Sequence, residues 1–122
     1  MTTITAAERT ARYVAIDALM KELLRAIRKS ITTEVALDKV GHFDRSDKLQ
    51  SERHKMEDQY RALRAVRSTR SDATRTIRAA ASTLNSAAND LNLERDDLAK
   101  LSKALDAAGK ILGIVRGILT LL

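Results

Sequence analysis

Histidine and cysteine, the side chains most used for acid–base and metal chemistry near neutral pH, are scarce in this chain. Its histidines are His42 and His54, and it has no cysteine. His54 stands three residues before Glu57 and four before Asp58, a spacing that puts an imidazole and a carboxylate on one side of a helix. Two such ligands do not make a site. A di-iron bundle needs two Glu-x-x-His units with further carboxylates from facing helices, and the sequence contains none. No glycine loop for phosphates is present, and no serine or lysine nucleophile stands beside an evident base. These absences predict a protein without enzymatic activity, metal or cofactor.

Charge offers a second kind of chemistry. Six arginines (Arg61, Arg64, Arg67, Arg70, Arg75 and Arg78) fall between Gln59 and Ala80 against one acid, Asp72, in a chain of net charge +6. On one continuous helix, Leu63, Val66, Ala73, Ile77, Ala80 and Leu84 share an arc of about 100°, and Arg61, Arg64, Arg67, Arg75 and Arg78 take the opposite arc of about 120°. A cationic stripe of this kind suits nucleic-acid phosphates, anionic lipid or an acidic protein partner. It equally suits plain solvation, or pairing with Glu94, Asp96 and Asp97 of the same chain. No aromatic residue is interleaved for base stacking, and no helix-turn-helix signature is present, which weighs against nucleic acid.

The third feature is the C-terminal segment, residues 104–122. Gly109, Gly113 and Gly117 follow one another at four-residue steps, and each costs a helix about 0.8–1 kcal/mol relative to alanine. Around them run two apolar stripes. One is Leu98, Leu101, Leu105, Ala108, Leu112, Val115, Leu119 and Leu122; the other is Ala104, Ala107, Ile111, Ile114, Ile118 and Leu121. A bundle helix needs one stripe. The surplus predicts a packing or assembly surface built from Gly109, Gly113, Gly117, Ile111, Ile114, Ile118 and Leu121. Its occupant is a neighbouring helix of the same molecule, a second copy or other helical partner, or an anionic membrane surface.

What positions these residues is predicted to be helix throughout. Proline is absent, glycines number four, and 44% of residues are apolar while only 2% are aromatic, so a core must be built from Leu, Ile, Val and Ala. A first helix over about 5–40 opens with Thr5 and Glu8 at capping-box spacing and carries Tyr13, Ile16, Met20, Leu23 and Ile27 at alternating steps of 3 and 4. Ile31, Val35, Leu37 and Val40 continue it less regularly, the β-branched run Ile31-Thr32-Thr33 allows a kink, and Gly41 ends it. A second helix over about 45–90, capped by Asp44 or Ser46, has its weak point at residues 68–72. A third, over about 92–121, is capped by Asn92 with acids in its first turn. The expected fold is all-α: one domain over 1–122, an antiparallel bundle of three long helices, or of four if the second breaks near 68–72.

The chain opens MTTITAAERTARYV, without a basic region followed by an apolar run, which predicts no cleaved signal peptide. The longest weakly charged apolar stretch, residues 111–122, is shorter than the roughly 17–25 residues that span a bilayer. A cytoplasmic or membrane-associated location is expected, with export by a route lacking a cleaved signal left open. The reading that follows is a non-enzymatic helical interaction protein that self-associates or joins a larger helical assembly through its C-terminal helix, with membrane contact as one use of that helix. The alternative is an electrostatic module that docks nucleic acid or an acidic protein on residues 61–78.

Overall fold

The computed structural model describes residues 5–65, 73–91 and 98–121. Every element in them is a helix: α1 (Ala6–Lys39), α2 (Phe43–Ala65), α3 (Ala73–Asn89) and α4 (Leu98–Leu121). The chain is an all-α bundle, and the four-helix alternative is the one adopted.

Helix α1 is continuous through Ile31-Thr32-Thr33. Thr32 satisfies its hydroxyl on the Arg28 carbonyl one turn back. Gly41 ends the helix as expected. Its φ of 83° lies in the left-handed region, its N–H donates to the Asp38 carbonyl at 3.1 Å, and the His42 N–H donates to Leu37 at 2.9 Å. That bond pair is the Schellman arrangement, which turns the chain within two residues. Asp44 lies in the first turn of α2, where the helix dipole favours an acid. Ser46 is not a cap: its buried hydroxyl donates to the Glu34 carbonyl of α1 and ties the two helices together.

Directions follow from the cross-helix bonds. The tight turn at Gly41 makes α2 antiparallel to α1. Asn85 donates to Glu22, and Thr33 donates to the Leu91 carbonyl, so α3 runs parallel to α1. Lys103 pairs with Asp90 at the end of α3, and Gln59 donates to the Leu112 carbonyl, so α4 returns alongside α2. Helix α1 packs against α2 and α3, and α4 packs against the same two. Among the described residues, α1 and α4 therefore face each other across the bundle, as do α2 and α3.

This reversal corrects the expectation of one helix over 45–90. Such a helix would measure about 70 Å, while α1, at 34 residues, spans about 50 Å and leaves an overhang. With α2 and α3 running opposite ways, Leu49, Met56 and Leu63 of the first and Ile77, Leu84 and Ala88 of the second all reach one core. Residues 66–72, with Val66, the 68–72 weak point, Arg67 and Arg70, lie outside the described residues. So do residues 92–97, with the Asn92 cap and its acids.

The core is aliphatic, as the composition dictates. Its largest fully buried members are Leu19, Leu23, Leu49, Met56, Leu63, Ile77, Leu84, Leu91, Ile111 and Val115. In the second half of α1 the pattern inverts. Ser30, Thr33 and Glu34 are buried, while Ile31 and Val35 are exposed. Glu34 is held by Arg53 of α2 through two bonds, Nε to Oε2 at 2.8 Å and Nη2 to Oε1 at 3.1 Å, and it also accepts from Ser30. Arg53 further donates to Glu57 at 2.6 Å. A buried carboxylate in this position is tolerated because a planar guanidinium and a hydroxyl satisfy it.

Candidate functional site

The C-terminal helix divides sharply into two sides. Ala104, Ala107, Ala108, Ile111, Leu112, Val115 and Ile118 are buried, and Leu105, Ile114, Leu119 and Leu121 are half-buried. Over residues 104–121 the doubled apolar stripe is thus used inside one molecule, because α4 sits in the groove between α2 and α3 and needs a wide apolar arc to fill it. Of the residues expected to form an assembly surface, Ile111 and Ile118 are core residues facing inward, and Ile114 and Leu121 border the core. Among the described residues, the surplus of apolar surface expected on this helix is therefore not present.

The glycines are on the other side. Gly109, Gly113 and Gly117 are all exposed, in the middle of the solvent face, with Lys103, Asp106, Lys110, Arg116 and Thr120 around them. A methyl group built on any of the three meets nothing within 4 Å. Close packing inside the molecule is therefore not what they serve. The result is a strip of helix with bare backbone at its centre and a charged border.

The described arginines of residues 61–78 fall on two helices. Arg61 and Arg64 are exposed on α2, and Arg75 and Arg78 are exposed on α3, while Arg67 lies outside the described residues. Since α2 and α3 run oppositely and lie across the bundle, these side chains do not form the single stripe that one continuous helix would give. Arg61 donates to Asp58 at 2.8 Å in a fully solvated pair, which contributes little to stability. The described arginines therefore do not share one helical stripe; Arg61 and Arg64 near the end of α2 and Arg75 and Arg78 near the start of α3 stand at the same end of the bundle.

His54 is exposed on α2, and the carboxylates beside it are already engaged, Glu57 with Arg53 and Asp58 with Arg61. His42 stands in the α1–α2 turn. Among the described residues no three His, Cys, Asp or Glu side chains are grouped to hold a metal ion. No described helix is long and apolar enough to cross a membrane.

Sequence reasoning missed the outer side of α1. Ile31 and Val35 are exposed by 43% and 47%, and at the adjoining turn Val40 and Phe43 are exposed as well. The sequence signal for this was weak: Ile31 stands four residues after Ile27, about 40° from it on the helix, and reads as a continuation of the seam. Apolar residues are also assigned inward by default.

No protein-family model matches this chain, and neither a curated protein nor a solved structure shows significant similarity to it.

Proposed function

We propose that the protein is a non-enzymatic helical interaction module that self-associates or joins a larger helical assembly through the outer face of α4. The observation that carries this is the open space over Gly109, Gly113 and Gly117. Three glycines in a helix cost about 3 kcal/mol relative to alanines. An isolated molecule gains nothing in return, since alanine would fit at all three positions. Glycines at four-residue spacing do serve the close approach of a second helix, whose side chains seat against exposed backbone. The charged border of Lys103, Asp106, Lys110 and Arg116 gives such a contact a polar rim.

Protein assembly is favoured over bilayer contact by the orientation of α4. Its apolar stripes face α2 and α3, so lipid would meet the glycine and charged side unless the helix left the bundle. A pair of substitutions at Gly113 tests the proposal. Gly113→Ala raises monomer stability by about 0.5–1 kcal/mol in a denaturant titration, because its methyl group fills open space on a helix. Gly113→Leu keeps full helicity by circular dichroism but abolishes the larger species seen by light scattering. Flotation with anionic liposomes shows neither protein bound. A wild type that is monomeric in scattering, or one that floats with liposomes at the expense of assembly, contradicts the proposal.

A further inference from the structure

Two unpartnered helix faces look away from each other on opposite sides of the bundle. One is the glycine face of α4. The other is the outer side of α1, where Ile31 and Val35 are exposed although Ser30, Thr33 and Glu34 beside them are buried. Exposed β-branched residues one turn apart are a raised apolar ridge, and no described helix covers it.

The two faces match residue by residue. On α1 the exposed seam reads Arg28, Ile31, Val35, Asp38, with steps of 3, 4 and 3. On α4 the exposed seam reads Asp106, Gly109, Gly113, Arg116, with the same steps. On a helix, each set lies within an arc of about 80°, so each is a single stripe. Set side by side in parallel, Arg28 meets Asp106, Ile31 meets Gly109, Val35 meets Gly113, and Asp38 meets Arg116. Bulk falls on bare backbone in the middle, and opposite charges meet at both ends. Lys39, one step further, falls beside Gly117, where its aliphatic stem has room. Antiparallel pairing would oppose Arg28 to Arg116 and Asp38 to Asp106, and like charges at both ends penalise it. Among the described residues none of the four charged side chains has an ion pair within its own molecule.

We infer that the occupant of the glycine face of α4 is the Ile31–Val35 ridge of α1 from a second copy of this chain, docked in parallel. This rests on the reading of α4 as an assembly surface and gives that surface its partner. Helices α1 and α4 of one molecule lie across the bundle, so the contact joins different molecules. It uses two different patches and is therefore heterologous, leaving one ridge and one glycine face free at the ends of every open oligomer. Within a molecule α1 and α4 point in opposite directions, so each copy is inverted end to end relative to its neighbours. The assembly grows with concentration rather than stopping at a dimer. Ridge-into-groove packing of this kind is how helices mesh in general, and glycine at the groove positions brings the axes closer.

Charge exchange tests it on the full-length chain. Asp38→Arg and Arg116→Asp each place like charges at one end of the seam and weaken association roughly tenfold in a sedimentation-velocity concentration series at low salt. The two changes together in one chain restore wild-type association. An equimolar mixture of the two single variants also restores it, because each supplies the charge the other lacks. Single variants that assemble like wild type while Gly113→Leu still blocks assembly overturn the inference and leave the α4 surface with another partner. Single variants that weaken assembly without rescue by the double change also overturn it. A wild type that is monomeric at every concentration overturns both this inference and the reading beneath it.

Discussion

Arg53 and Glu34 show at the scale of single residues why the hairpin of α1 and α2 has one register. Both side chains are largely buried, at 15% and 8% exposed, and they are joined by two hydrogen bonds. The hydrogen bonding that Arg53 donates to Glu34 is the main reason its guanidinium titrates above its usual value; burial opposes it, and Glu57 adds to it. A cationic group raised on folding contributes stability below its unfolded pKa and loses it as pH rises through the folded value. For arginine that window lies at the alkaline extreme, so this residue contributes no pH dependence to folding near neutrality. Removing one partner is another matter. Arg53→Ala leaves Glu34 buried with only Ser30 for company, and is expected to destabilise the protein by about 3 kcal/mol or more in urea titration. Replacing Glu34 and Arg53 together by Leu and Met is expected to recover most of that loss, since an apolar pair of similar volume needs no compensation. A single Arg53→Ala loss below 1 kcal/mol would show that the pair does not hold the hairpin.

At the scale of elements, helix content and several boundaries were legible in the sequence. The steps of 3 and 4 through Ile16, Leu23 and Ile27, and again through Ala108, Leu112 and Val115, correspond to buried seams. Gly41 ended α1 where its conformational freedom was expected to act. Because its φ is positive and nothing lies near its Cα hydrogens, Gly41→Ala is strained by backbone alone and is expected to cost about 1 kcal/mol, measurable as a lowered denaturation midpoint. Less legible was the direction of each face. Ser46 looked like a cap and instead bonds across to α1. Ile111 and Ile118 looked like surplus and are core, because the width of the groove between α2 and α3 is set by pairwise packing that no single helix encodes. Ile31 and Val35 looked like a continuation of the seam and face solvent for the converse reason: Glu34 and Thr33 have partners in α2 and at the end of α3 that only the assembled bundle supplies.

For the whole molecule, the decisive unknown in the sequence was whether residues 45–90 form one helix. Apolar periodicity passes through 60–80 without a proline or glycine, so local signals favoured continuity. Tertiary packing settles it otherwise, since folding back places Leu63 and Ile77 in one core. The absence of cysteine makes this topology easy to test. With Glu22→Cys and Asn85→Cys, a short bismaleimide is expected to link the two sites within one chain, because Glu22 and Asn85 hydrogen-bond at 2.9 Å. In an antiparallel array with one long second helix, residue 85 would lie far beyond residue 22, and no link would form. Topology also decides what the molecule can join. By setting α1 and α4 on opposite sides, it gives each copy two separate outward faces. It also puts Arg61 and Arg64 on α2 and Arg75 and Arg78 on α3, so the described arginines do not lie on one helical stripe.

The central claim is that the exposed glycines of α4 form a surface used between molecules. The most direct measurement is the absolute solution mass of the wild-type chain over a dilution series, by light scattering behind size-exclusion chromatography. Mass that rises steadily with concentration above the 13.5 kDa of one chain is the predicted result. A mass fixed at that of one chain across the whole series, with the protein fully helical, would contradict the account.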